Sequence, residues 1–171
     1  MMNPFIPAKK ANIAIISSDA PLSVLETLEG LIPNVVQTIP LPNVARAVSR
    51  HPDMAMIPVN KNTLIVAPSV YKHYRSVLEP LGLVVIQGKA EPGENYPYDV
   101  PYNAAILGGK AFHLKKFTDS KVKDELRNIG LEILNVRQGY TKCSIAIIDE
   151  NSAITSDLKL AVALRHIGCD V

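Results

Sequence analysis

Short apolar runs, polar turns and amphipathic stretches follow one another in a repeating order along most of the chain. Three stretches each contain two short apolar runs joined by a turn rich in Asn, Asp or Gly, which is the pattern of a β-hairpin. A stretch with helical spacing and a third apolar run come after each hairpin. This order predicts a repeated strand–strand–helix–strand (ββαβ) unit. The distance from the first residue of a unit to its closing glycine is 29, 27 and 25 residues, from Asp53 to Gly82, from Asn103 to Gly130 and from Cys143 to Gly168.

Each predicted helix has a polar residue or proline at its start and ends in the sequence Leu-x-x-x-Gly. A polar side chain at the start satisfies exposed backbone N–H groups. Glycine ends a helix because it accepts a left-handed backbone. We therefore predict that Gly82, Gly130 and Gly168 end the three helices. The predicted starts are Pro68 or Ser69, Asp119 or Ser120, and Ser156 or Asp157.

An incomplete copy of the unit precedes these three. It consists of a strand at 13–16, a helix at 22–28 capped by Asp19 and stopped by Gly30, and a returning strand at 35–39. The sequence therefore predicts an α/β fold in a single domain, 1–171, built of ββαβ modules. The predicted modules cover about 12–40 (partial), 51–87, 103–137 and 143–171 (truncated).

The sequence stops at Val171, where the last returning strand should begin. One explanation is that the natural protein continues, and this is the one that we expect. The other is that a different chain covers an unpaired sheet edge.

Composition and charge narrow the classes of function. Of the 171 residues, 47% are hydrophobic and 20% are charged, which is ordinary for a globular protein. The net charge is +2 and the basic residues are scattered, whereas a nucleic-acid partner needs a concentrated basic face. No apolar run reaches the roughly 18 residues that cross a membrane, and no signal-peptide core follows the N-terminal lysines. We therefore predict a cytoplasmic protein without a nucleic-acid or membrane partner; a homo-oligomer is compatible with these features.

Polar side chains stand at the predicted strand starts. His51 and Asp53 lie at the start of one unit, Asn103 at the start of the next and Cys143 at the start of the last. Because equivalent positions of a repeat face the same place, we predict that these four residues form one polar site. A metal site made of His51, Asp53 and Cys143 is compatible with the ligand types. Their spacing does not favour it, and we predict neither a metal nor a cofactor.

The same residues also have structural interpretations. A cysteine on an apolar strand is commonly a small buried hydrophobe, and His51-Pro-Asp is a sequence that forms simple turns. We expect Cys169 to pack in the core and His113 to be structural. The stretch 96–102 is rich in tyrosine and proline. It either forms a rim over the site or holds in place the long connection that leads into the strand at Asn103.

Two stretches resemble a known superfamily. Residues 51–68 resemble the His-x-Asp strand of the guanidino-group-modifying enzymes, whose architecture is called the pentein fold, and residues 139–148 resemble the strand that carries their nucleophilic cysteine. The sequence also resembles an uncharacterised clostridial-type family of that fold. The resemblance implies a pentein-like α/β propeller of ββαβ modules, incomplete in this chain.

The resemblance also implies a function and roles. The chain would be a hydrolase of the deiminase type or an amidinotransferase acting on a small guanidino compound. Cys143 would be the nucleophile and His51 the general acid and base, while Asp53 would bind the substrate. For Asn103 the prediction of substrate binding comes from its position, because it occupies the equivalent strand start. A neighbouring histidine would lower the thiol pKa below its usual value of about 8.5.

Two alternatives to an enzyme stay open. One is a non-catalytic member of the same fold that binds a small ligand or serves in an assembly. The other is an unrelated α/β repeat scaffold.

Overall fold

A computed structural model describes residues 3–7 and 9–171, and within these residues the strands form four small sheets. The longest helix has ten residues, and no helix in this part of the chain is long and apolar enough to span a membrane. The strands are β1 (Ile13–Ile16), β2 (Asn34–Gln37), β3 (Met56–Asn60), β4 (Thr63–Val66), β5 (Val84–Gln87), β6 (Ala105–Leu107), β7 (Lys110–His113), β8 (Ile133–Asn135), β9 (Ala146–Ile147) and β10 (Ala153–Ile154). The helices are α1 (Leu22–Leu31), α2 (Pro52–Ala55), α3 (Tyr71–Leu78), α4 (Ser120–Asn128) and α5 (Leu158–His166).

Two units have the predicted ββαβ topology. β3 pairs antiparallel with β4, and β4 pairs parallel with β5 after the chain has crossed over through α3. β6, β7 and β8 repeat this arrangement around α4. A parallel neighbour needs a long crossover, which the helix supplies. The predicted hairpins and returning strands of these two units are confirmed, and the chain is a mixed α/β protein of small sheets.

The first and last units are shorter. β1 pairs parallel with β2 on either side of α1, so this unit lacks the antiparallel hairpin. β9 and β10 pair antiparallel over two residues each. The strand that should return after α5 is reduced to a parallel bridge between Ser152 and Asp170.

The helix ends follow the sequence in the three later units but not in the first. Gly82, Gly130 and Gly168 have φ angles of 88°, 78° and 86°, so the predicted left-handed ends are confirmed. Gly30 was predicted to stop α1, which is wrong because the helix continues to Leu31. Pro33 ends the helix, because the residue before a proline, here Ile32, disfavours the helical backbone conformation.

The predicted polar caps are confirmed for two helices, α4 and α5. Asp119 accepts a hydrogen bond from the backbone N–H of Val122 at 3.0 Å, and Asp157 caps α5 in the same way. The predicted cap of α1 is wrong, because Pro21 occupies that position without a side-chain bond. Asp19 instead forms an ion pair with Arg50 at 3.4 Å. α3 follows a 3-10 turn at Pro68–Val70 and also lacks a side-chain cap.

Equivalent leucines fix the helices on their sheets. Leu78, Leu126 and Leu164, the first residues of the three Leu-x-x-x-Gly sequences, are completely buried. Burial of one leucine side chain contributes about 1.5–3 kcal/mol. Cys169 and His113 are also buried, as predicted for structural residues.

The strands begin later than the sequence predicts at the three places that matter for the site. Asp53 lies in the short helix α2, because Pro52 starts a helical turn and the N–H of Met54 donates to the carbonyl of His51 at 3.1 Å. Cys143 lies in a turn at 141–144, and Asn103 precedes β6 by two residues. The candidate residues therefore sit on the connections that lead into the strands.

Candidate functional site

His51, Asp53 and Cys143 bring their polar atoms together. One nitrogen of His51, one carboxylate oxygen of Asp53 and the Cys143 sulfur all lie within 4.8 Å of one another. His51 and Cys143 are exposed, and Asp53 is half-buried. The structure thus gathers three of the four predicted residues at one accessible place, and Asn103 lies directly beneath them.

The Cys143 thiol lies between a carboxylate and an amide. Its Sγ donates to Asp53 Oδ2 at 3.1 Å, and Asn103 Nδ2 donates to the same sulfur at 3.0 Å. The other carboxylate oxygen, Asp53 Oδ1, is buried and accepts no hydrogen bond from the described residues. A buried charged oxygen without a donor is costly, and a ligand with N–H groups would satisfy it.

Asn103 joins the two turns that carry the site. The side chain is completely buried. Its Oδ1 accepts from the backbone N–H groups of Lys142 at 2.8 Å and Cys143 at 3.2 Å, while its Nδ2 also donates to the carbonyl of Asp53 at 3.3 Å. Both ends of one amide are therefore used to hold the Cys143 turn against α2.

The thiol pKa moves in the direction opposite to the one expected from the sequence. Although Cys143 as a residue is exposed, its Sγ is enclosed by its neighbours, and this desolvation together with the charge of Asp53 raises the thiol pKa to about 12. The Asn103 hydrogen bond and the charge of Lys142 act in the lowering direction but are weaker. The pKa of the thiol is thus raised in the free protein and not lowered as expected, because Sγ is desolvated and donates to the carboxylate of Asp53 and not to the imidazole.

His113 supports the chain that leads to Cys143. It is buried, its Nε2 donates to the carbonyl of Gly139 at 3.0 Å, and its Nδ1 accepts from the Thr118 hydroxyl at 2.6 Å. Burial lowers the pKa of His113 to about 4, so the imidazole is neutral at physiological pH. This histidine fixes the backbone four residues before the candidate nucleophile.

A second buried carboxylate lies close by and was not predicted from the sequence. Asp99 is 2% exposed and accepts a short hydrogen bond from the Tyr140 hydroxyl. Its other oxygen, Oδ1, receives no donor from the described residues. The Tyr140 ring lies 5.6 Å from the ring of Tyr96, which is about half exposed. Part of the stretch 96–102 thus lies beside the residues that lead into the Cys143 turn, while the contact between Asp99 and Tyr140 joins distant positions that no local sequence pattern connects.

A cavity of about 860 Å³ reaches Asp53 and Lys142 from one side. The N-terminal residues form one wall, where Phe5 packs its ring 5.2 Å from Lys142 Nζ. Asn3 anchors this wall, since its Nδ2 donates to the carbonyl of Ile106 at 2.7 Å and its Oδ1 accepts from the N–H of Phe5 at 3.0 Å. No local sequence pattern indicates these residues, because their contacts with Ile106 and Lys142 join positions more than 100 residues apart.

The donor set of the site would also suit a metal. A thiolate, an imidazole and a carboxylate are ligands that Zn²⁺ accepts, and three protein ligands leave a position open. The three donor atoms are near enough to one another to be brought around one ion by small movements. The absence of a metal and of a cofactor stays a prediction.

The sequence matches the model of one protein family, and the description of that family gives no activity. A model of a protein family described as a family of unknown function (DUF6873) matches residues 15–171. The match includes His51, Asp53, Asn103 and Cys143 and begins after the N-terminal residues Asn3 and Phe5. No curated protein matches the sequence.

Proposed function

The chain belongs to the DUF6873 family, and we propose from the geometry of its site that it is a cysteine-dependent enzyme. It either hydrolyses a guanidino compound or transfers the amidino group of that compound to an amine. The observation that carries the proposal is the meeting of a thiol, an imidazole and a carboxylate within 4.8 Å. The pentein-like propeller is part of the same proposal. It is supported by the two units of identical ββαβ topology and by the positions of Asp53 and Asn103 just before the first strands of these units.

Asp53 is the binding group in this proposal. Its buried Oδ1 lacks a donor, and a guanidinium offers planar N–H groups that pair with a carboxylate. Desolvation and the charge of Asp53 both raise the thiol pKa, and binding of this cation would neutralise that charge. The same event would therefore position the substrate and make the thiol of Cys143 easier to deprotonate.

The chemical steps follow from the positions of Cys143 and His51. Once the substrate occupies the carboxylate of Asp53, the thiol proton passes to His51, whose nitrogen lies within 4.8 Å of Sγ, and the thiolate forms a bond to the guanidinium carbon. A C–N bond then breaks, and His51 returns the proton to the departing amine, which leaves an alkylthiouronium group on the sulfur. In a hydrolase, His51 next takes a proton from water as the water oxygen bonds to the same carbon. The C–S bond then breaks, His51 returns the proton to the sulfur, and a ureido product is released. In an amidinotransferase, an amine takes the place of water.

The test is a screen of guanidino compounds for products. Arginine, agmatine and methylated arginines are incubated with the native protein, with Cys143→Ala and with Cys169→Ala, and citrulline- or urea-type products are measured. We expect product with the native protein and with Cys169→Ala, and a loss of at least 100-fold with Cys143→Ala, because the covalent route is closed.

Three outcomes would decide against this function. Product formation that is unchanged in Cys143→Ala would exclude the nucleophile. Activity that is lost on treatment with a chelator and restored by Zn²⁺ would favour a metal-dependent enzyme that uses the same three side chains. No product from any of these compounds would favour a non-catalytic protein that binds a small ligand.

A further inference from the structure

One edge of the strand β1 has no partner strand. In the described part of the chain β1 pairs only with β2, and this pairing is parallel. The corresponding strands of the two complete units, β4 and β7, are paired on both edges, since β3 and β6 lie antiparallel to them on the second edge. The first unit therefore lacks a strand at the place where each complete unit has one.

The hydrogen bonds to the returning strand show which positions correspond. The carbonyls of Asn12 and Ile16 accept from the returning segment of the first unit at 3.2 and 2.9 Å. In the second unit the carbonyls of Asn62 and Val66 accept in the same way at 2.7 and 2.8 Å. The two pairs of carbonyls are separated by the same number of residues, so β1 occupies in its unit the place that β4 occupies in the next.

The backbone groups of Ile13 and Ile15 point to the unpaired edge. Successive residues of a strand direct their N–H and C=O groups to opposite sides, and Asn12 and Ile16 are directed to β2. The N–H and C=O groups of Ile13 and Ile15 form no hydrogen bond with the residues that the structure describes. Both residues line the cavity of about 860 Å³. Two donors and two acceptors are thus available to a strand that enters this cavity.

The residues before β1 are unsuited to supply that strand. They form a turn, in which the N–H of Ile6 donates to the carbonyl of Asn3 at 3.1 Å. The side chain of Asn3 holds this turn to the carbonyl of Ile106 at 2.7 Å. Pro4 and Pro7 have no N–H group to donate to a neighbouring strand. The edge therefore calls for a strand from another molecule.

The charges around the unpaired edge favour a negatively charged strand. The charged residues among the described lining of the cavity are four lysines and one acid: Lys9, Lys10, Lys61, Lys142 and Asp53. None of these lysines forms an ion pair within residues 3–7 and 9–171. A second copy of this chain would bring the same lysines to the edge, and like charges oppose the pairing of two such edges. An acidic strand from a different protein would instead pair with them.

We propose that β1 binds an extended acidic segment of another protein as an added antiparallel strand. The antiparallel direction is that of β3 and β6 in the complete units. The added strand would end beside Ile13, next to Lys9 and Lys10, so its acidic residues belong at its C-terminal end. Its residues opposite Ile13 and Ile15 should be apolar, because directly opposite residues share one face of a sheet and Ile15 packs against the hydrophobic core. This binding does not depend on the proposed enzymatic function.

The first experiment tests whether the backbone of a bound peptide pairs with β1. The native protein is titrated into the fluorescein-labelled peptide Gly-Val-Glu-Val-Glu-Glu-Glu, and binding is measured by fluorescence anisotropy. Two N-methylated forms of the peptide serve as a matched pair. One carries methyl groups on the two valines, whose N–H groups would face β1. The other carries them on the glutamates that directly follow the valines, whose N–H groups would face away.

We expect methylation of the valines to weaken binding by roughly tenfold or more, since two backbone hydrogen bonds are lost. Methylation of the glutamates should leave the affinity close to that of the unmodified peptide. An equal effect of both modifications would overturn the inference. Binding of the unmodified peptide that is weaker than about 1 mM would do so as well.

The second experiment tests the role of the lysines. Affinity for the same peptide is compared in the native protein, in Lys10→Gln/Lys61→Gln and in the control Lys72→Gln/Lys159→Gln, which removes two exposed lysines that do not line the cavity. Each cavity lysine replaced should weaken binding by roughly 1.5- to fivefold, the effect of one exposed charge pair. A peptide with lysine in place of each glutamate should not bind. Equal weakening in the control, or equal binding of the lysine peptide, would overturn the inference.

Amide hydrogen exchange, measured by NMR in the native protein, locates the bound peptide. The peptide should slow exchange at the N–H groups of Ile13 and Ile15, and it should leave Ala14 and Ile16 unchanged because these face β2. Binding without slower exchange at Ile13 and Ile15 would place the peptide elsewhere. Slow exchange at both residues in the protein alone, lost on dilution, would show that a second copy covers the edge. Either result would overturn the inference.

Discussion

Desolvation raises the pKa of the Cys143 thiol, and the neighbouring carboxylate of Asp53 raises it further. This carboxylate accepts the hydrogen bond from Sγ, and its charge adds to the effect of desolvation in keeping the sulfur protonated. The amide of Asn103 and the charge of Lys142 oppose it. The reactivity of the sulfur is therefore set by the balance of charges around it, and replacing single residues should shift that balance in known directions.

Opposite substitutions next to the thiol should move its pKa in opposite directions. Asp53→Asn removes a neighbouring negative charge, so the thiol pKa should fall by about one to three units. Lys142→Gln removes a positive charge and should raise it. The measurement is the rate of Cys143 alkylation by iodoacetamide between pH 7 and 11, because only the thiolate reacts and its fraction at a given pH falls roughly tenfold for each unit by which the pKa rises. A midpoint near that of a free thiol in the native protein, or a rise in Asp53→Asn, would contradict the described geometry.

At the scale of the secondary-structure elements, the ends of the helices depend on backbone conformation more than on packing. Gly130 ends its helix with a φ of 78°, whereas Gly30 lies inside α1. A methyl group added to either glycine would meet no heavy atom within 4 Å. The two positions therefore differ in backbone conformation and not in available space.

This difference predicts stability changes of opposite sign. Gly130→Ala should destabilise the protein by about 1–2 kcal/mol, since a left-handed backbone is unfavourable for alanine. Gly30→Ala should stabilise it by about 0.5–1 kcal/mol, because glycine is a poor residue inside a helix. Urea unfolding of the two variants measures both effects. Destabilisation by Gly30→Ala would show that the end of α1 is misplaced.

The elements that local patterns specify were predicted well, and those that depend on distant contacts were not. The hairpin β6–β7 and its Gly108–Gly109 turn are visible in a few neighbouring residues, and so is the cap Asp119. The helix α2 is only four residues long, and Pro52-Asp53 fits a turn as well as a helix start. The positions of Asp99 and of the N-terminal wall that contains Phe5 depend on tertiary contacts. Contacts of this kind leave no periodic pattern in the sequence.

At the scale of the whole molecule, a buried histidine links folding stability to pH. His113 is neutral in the folded protein, with its pKa lowered to about 4, while an unfolded chain has the ordinary value of about 6.5. Between these values the unfolded chain binds the extra proton. The contribution of His113 is therefore complete above pH 6.5 and is lost as the pH falls towards 4.

The variant His113→Gln should remove this pH dependence. The stability difference between the native protein and this variant should shrink by up to about 3 kcal/mol from pH 7 to pH 4, at about 1.4 kcal/mol for each pKa unit. Urea unfolding at several pH values measures the difference, and the exposed His166 supplies the control variant His166→Gln. A difference that stays constant with pH would mean that the imidazole is not buried in its neutral form.

The position of Asn103 has a consequence for anyone who wishes to redesign this protein. Its single amide holds α2 through the Asp53 carbonyl and the Cys143 turn through two backbone N–H groups. A substitution that shifts one turn therefore changes the best position for the other, and effects measured one at a time will not add. Altered specificity calls for libraries that vary the two turns jointly around an unchanged Asn103.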